Sequence, residues 1–221
     1  MKFLAKRIIL IVLLVAAICL NVPSIAFAQL AVNPVGRIDK IGSHILQVIT
    51  SDQLPPGVIP REFETRKEAE AYLDHIDADI AEQNAASALA AKDGLLQSQK
   101  GAIPSENAET FAASAAATTT SKYKDFPQCA GIHKVRVRSS FTYIVNTSGI
   151  KLIQSVSSVT SENLGYTVDS KWSQSSYTKK TIDSGRTLAL NVYGVMKHYL
   201  LIKGVLEITS DELHLYAEFH P

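Results

Sequence analysis

The sequence predicts an α+β chain: an amphipathic α-helical segment followed by a mainly β C-terminal domain, an antiparallel sandwich or small barrel. Three observations predict it. Ala69, Tyr72, Leu73, Ile76 and Ile80 recur at helical spacing. Val135, Val137, Phe141, Tyr143 and Val145 share one parity, while Lys134, Arg136, Arg138, Ser140 and Thr142 share the other, the alternation of a half-buried strand. Further short strands follow, roughly six to eight in all, with no long helical pattern among them.

The chain opens on Lys2, Lys6 and Arg7, an apolar run over residues 8–20, and Ala26-Phe27-Ala28. This is the three-part layout of a secretory signal, so residues 1–28 are expected to be a signal peptide, with Ala26 and Ala28 as the small residues read at cleavage. The apolar run falls short of the ~20 residues of a bilayer span, and Asn21 and Pro23 end it. Ile18 is too bulky to precede a lipidated Cys19. The expected location is therefore secreted and extracellular, with membrane contact only during export. Cys129 is then the one thiol beyond the signal. No internal disulfide framework is possible, and stability must come from an apolar core. Cys129 is read as a small, partly buried residue or as half of an intermolecular disulfide.

Charge divides unevenly. Residues 29–121 hold 7 Lys and Arg against 13 Asp and Glu, a net of −6; residues 122–221 hold 12 against 8, a net of +4. Opposite signs favour docking of the acidic helix on the basic β domain. Neither part is basic enough to argue for nucleic acid.

Residues 29–104 form the expected helical N-terminal region, a pro-segment or accessory arm. Across 39–50, Ile38, Ile41, Ile45 and Ile49 fit a short helix, but 44–49 fits a strand almost as well. Leu54-Pro55-Pro56-Gly57 is a break. Thr65 and Glu68 have the spacing of a capping box. The helix beyond them buries Tyr72, Leu73, Ile76 and Ile80, its acidic residues lie mostly off that stripe, and alanines sustain it. Gly94 is its first weak point, and Gly101 with Pro104 ends it. Residues 105–130, rich in Ala, Ser and Thr, are read as a linker.

Residues 131–221 form the β-sandwich-like domain. Strands are expected over 133–145, 151–160, 166–172 and, more weakly, 175–182, with turns at 146–149, 162–165 and 183–185. Residues 186–209 are too long for one strand of ordinary length and are divided around Gly194 and Gly204. Ser210-Asp211 is read as a turn. Leu213, Leu215, Ala217 and Phe219 then alternate with His214, Tyr216, Glu218 and His220 in the cleanest strand of the chain.

No catalytic residue emerges. The glycine-any-serine-any-glycine nucleophile turn is absent, as are glycine-rich phosphate loops. Cys129 and His133 are too weak a pair to argue a thiolate site. No metal site is expected: His214 and His220 would stand about 20 Å apart on an extended strand, and Asp74, Asp77 and Asp79 lack the spacing of a calcium loop. No cofactor is implied. What remains is surface. Lys171, Trp172, Tyr177, Lys179 and Lys180 cluster in sequence, and aromatic and basic groups at a sheet edge hold glycans, anionic polymers or proteins. The same residues also fit a core Trp172 flanked by lysines that protect an edge strand. The expectation is a secreted, non-enzymatic β-domain protein that recognises an extracellular protein or glycan, toxin- or bacteriocin-like with an N-terminal pro-segment. The rivals are a secreted hydrolase with a non-local site and a subunit of an extracellular assembly.

Overall fold

Alternating apolar residues require two sheets to hide one face of each. The computed structural model describes residues 35–100, 116–128, 133–165 and 169–221, with the side chains of 97–100 left out. In chain order these form β1 (Ile38–Ile41), β2 (His44–Val48), β3 (Arg61–Phe63), α1 (Arg66–Lys100), β4 (Thr118–Gln128), β5 (His133–Val145), β6 (Lys151–Gly165), β7 (Ser170–Ile182), β8 (Thr187–Ile202) and β9 (Val205–Phe219). One sheet runs β1-β2-β9-β8, and the far edge of β8 is shared by β7 and β3, the latter parallel to it. The other sheet is the antiparallel β4-β5-β6. The architecture is α+β and sandwich-like, as the alternation requires.

The main core lies between the sheets. Val135, Val137 and Phe141 of β5 and Phe126 of β4 meet Leu188, Leu190 and Val192 of β8 and Leu213, Leu215, Ala217 and Phe219 of β9. Trp172 belongs to this core, donating its indole N–H to the Ser161 hydroxyl at 2.8 Å. Gly194 is neither a bulge nor a bend. It sits in the middle of β8 beneath the Trp172 ring, where any Cβ would collide with that ring and with the Ser173 carbonyl. The bulge lies instead on β7, between Gln174 and Ser176.

Several expected boundaries are corrected. Residues 162–165, read as a turn, are the end of β6, and the separate strands read at 166–172 and 175–182 share one strand, β7. Residues 118–128, read as linker, are β4, paired along its length with β5. Its hydroxyl-rich start looks featureless, but the ladder and the burial of Phe126 and Gln128 supply what local composition does not. Residues 187–202 are one strand rather than several. Ser210 and Asp211 do not turn the chain: the ladder continues through them to Lys197 and Met196. The real turn is Lys203-Gly204, both at positive φ, the two-residue hairpin geometry whose twist suits the flanking strands. The expected signal peptide with Ala26 and Ala28, Cys129, and residues 105–115 lie outside the described residues. None of the described helices is long and apolar enough to cross a membrane.

The capping box forms as its spacing predicts. Thr65 N–H donates to the Glu68 carboxylate and Glu68 N–H to the Thr65 hydroxyl, both at 3.2 Å. From there α1 buries Ala69 and Leu73 against Leu200 and Ile202, and Ile76 and Ile80 in the main core, with Tyr72 half-buried beside both. The buried stripe continues at the same spacing through Ser87 to Gly94, with Ala91 half-covered. Gly94 is not a weak point: the Tyr216 hydroxyl and Glu218 carboxylate occupy the space a Cβ would need.

This second half of α1 has a specific task. Among the described residues, β9 beyond Ile208 has no strand on its outer side, and an open edge invites pairing with other chains. Asn84 donates to the Glu212 carbonyl at 3.0 Å and accepts from His214 N–H at 2.7 Å. Ser87 accepts from Tyr216 N–H at 3.2 Å, and Lys124 of β4 donates to the Tyr216 carbonyl at 3.2 Å. Side chains thus satisfy the edge that no strand covers. A shed pro-segment must leave a folded remainder, and shedding α1 would open two cores and this edge together.

Candidate functional site

The register of β7, β8 and β9 dictates what their outer face displays. Leu190, Val192, Leu213 and Leu215 point inward, so the residues between them point out. Reading across the strands, successive rows are Lys171, Lys197 and Ser210; Ser173, Val195 and Glu212; Ser176, Tyr193 and His214; and Thr178, Asn191 and part of Tyr216. The β4-β5-β6 sheet covers the other face. The β1–β2 hairpin bounds this one at one end, and the Ser87–Gly94 stretch of α1 bounds it at the other.

At the centre, Tyr193 and His214 are cross-strand partners with rings stacked at 4.6 Å and 10°. His214 is held on two sides: its backbone N–H by Asn84, and its Nε2 by the Asn191 amide oxygen at 2.9 Å. Burial lowers its pKa, which favours the neutral ring. Tyr193 remains 39% exposed. Around the pair, Asn84, Ser175, Val195 and Glu212 line a depression of about 390 Å³. Rigid rings, a fixed amide and hydroxyls on an open sheet face form a surface able to stack and hydrogen-bond a polar, ring-shaped ligand.

A second depression, about 460 Å³, adjoins the Lys197 and Ser210 row, with His44 of β2, Asp77 of α1, Thr209 and Asp211 in its walls. His44 is buried with both ring nitrogens against carboxylates, Nε2 2.8 Å from Asp74 and Nδ1 3.4 Å from Asp77. Burial, reinforced by Asp77, pushes the Asp211 carboxyl up to about 6. Behind it His198, only 1% exposed, stands with Nε2 3.6 Å from the Asp211 carboxylate. Burial drives its pKa down to about 4. The seam ends at Asp169, which accepts from the Tyr72 hydroxyl at 3.0 Å and lies 3.2 Å from His133 Nε2. Burial alone would raise the Asp169 carboxyl, but His133, Tyr72 and Arg61 outweigh it and hold it below its ordinary value. None of these contacts joins residues near in sequence, so only the topology reveals them.

The five residues singled out from sequence do not form one patch. Trp172 is core. Tyr177 and Lys179 pair with Val192 and Leu190 and share their face, Lys179 reaching the Val156 carbonyl at the gap between sheets. Lys171 and Lys180 lie on the opposite face, paired with Lys197 and Ala189. Only Lys171 adjoins the outer depressions. Among the described residues no cluster of His, Cys, Asp or Glu is arranged to hold a metal ion. His214 was legible as an outward strand residue but Tyr193 was not singled out, and their stacking depends on the β8–β9 register, which no local pattern fixes. No family model, curated protein or solved structure matches the chain.

Proposed function

We propose that this protein is an exported, non-enzymatic recognition domain that binds an extracellular glycan on the outer face of β7-β8-β9. The Tyr193–His214 stack carries the reading. An aromatic pair of exposed Tyr193 and half-buried His214, held by Asn84 and Asn191 beside serine hydroxyls, offers a ring face to solvent. Aromatic surface of this kind offers contact area at low entropic cost, and the neighbouring serine hydroxyls match sugar hydroxyls. The signal-like N-terminus supports an extracellular ligand.

The hydrolase reading draws less support from the acidic depression. A histidine that activates a hydroxyl needs a free ring nitrogen, and both nitrogens of His44 face carboxylates. Retention of the full chain on a panel of immobilised cell-surface polysaccharides tests the proposal. At least one should be retained, and Tyr193→Ala should abolish retention without lowering the melting temperature by more than a few degrees. Failure to bind any of them, or undiminished binding by the variant, would overturn it.

A further inference from the structure

Two rows from the aromatic pair, past Ser173, Val195 and Glu212, the outer face contains an arrangement that folding alone disfavours. Lys171 and Lys197 are direct cross-strand partners on the outer face, both exposed. Like charges directly opposite each other destabilise a sheet. Neither has an acidic partner within ion-pair distance among the described residues. Their neighbour across β9 is Ser210, a neutral donor; Glu212 stands one row on, and Asp77 lines the depression that Lys197 borders. Asp211 has the opposite parity and is directed toward His198. Along β8, Lys197 and Tyr193 are four residues apart, about 13 Å on an extended strand.

We infer, resting on the glycan reading above, that the ligand is an acidic glycan, a chain of sugar rings in which one ring stacks on Tyr193 while an anionic substituent further along sits between Lys171 and Lys197. Charge complementarity selects this occupant. An anion between the two ammonium groups turns their repulsion into attraction, and the Ser210 hydroxyl adds a donor. The pair is then a recognition element kept at a small expense in stability.

The test uses two probes that differ in charge alone: a galacturonic acid tetramer and its methyl ester, titrated into the full chain by calorimetry. The acid should bind about five-fold or more tightly than the ester, with a preference that shrinks as salt rises. Lys171→Gln with Lys197→Gln should reduce the acid to the affinity of the ester while leaving the melting temperature unchanged or higher. Equal binding of acid and ester, or a preference that survives in the double variant, overturns the inference and leaves the glycan reading standing. Binding of neither probe, together with failure on the polysaccharide panel, removes both.

Discussion

The inner and outer faces of β8 and β9 are made by the same two strands and obey different rules. The inner face places Leu188, Leu190 and Val192 beside Leu213, Leu215 and Phe219, and shape and apolar area decide each position. The outer face places Lys197, Tyr193 and Asn191 beside Ser210, Glu212 and His214, and none of the described elements forms a second layer over its middle rows. Polar residues interrupt the inner face at His198, Asp211 and Glu207, where the sandwich gives way to the α1 contact. The difference teaches that stability resides on one side of this hairpin, which leaves the other side free to carry recognition.

Substitutions separate the faces by magnitude. The largest effect is expected from Phe141→Ala, a fully buried ring in the main core, at about 3–5 kcal/mol by chemical denaturation. Gly194→Ala forces a methyl group into Trp172 and the Ser173 carbonyl and should cost about 1–3 kcal/mol, with a change in Trp172 fluorescence. Ser87→Ala leaves the buried Tyr216 N–H without its acceptor and should cost about 1–2 kcal/mol, alongside more self-association in light scattering as the β9 edge loosens. Tyr193→Ala should change stability by about 1 kcal/mol or less. A large loss there would merge the two faces and weaken the comparison.

The buried polar seam adds a test in pH. The folded Asp211 carboxyl titrates near 6 against an ordinary 3.8, so the folded state holds that proton more tightly, and stability falls as pH rises from about 4 to 6. His198 titrates near 4 against 6.5, so the unfolded state binds that proton more tightly, and stability rises with pH over nearly the same window. The two slopes nearly cancel between pH 4 and 6. Asp211→Asn should expose the His198 slope, making the variant gain of order 2 kcal/mol relative to wild type on going from pH 4 to pH 7. A pH-independent difference between the two proteins would contradict the burial of this pair.

Local pattern made much of the fold legible. The β5 alternation, the Thr65–Glu68 cap and the first part of the α1 stripe are each encoded within a few residues, and each forms where its spacing says. What escaped depends on partners distant in sequence. Residues 118–128 need β5 to become a strand. Ser87 and Gly94 look like weak helix residues until the β9 edge lies against them. Trp172 was open between a surface aromatic and a core residue flanked by lysines, and only the sheet packing decides for the core. The outer-face site is a product of register: the alternation of β9 announced only that His214 would point away from the core, and Tyr193 joins it through the β8–β9 ladder.

The most direct measurement is a ¹H–¹⁵N NMR titration of the full chain with the galacturonic acid tetramer, followed residue by residue. The account predicts shifts confined to the outer rows around Lys171, Lys197, Tyr193, Asn191 and His214, with β5 and the inner face undisturbed. Shifts centred on the β4-β5-β6 sheet, with the Tyr193 and His214 signals unmoved, would contradict it.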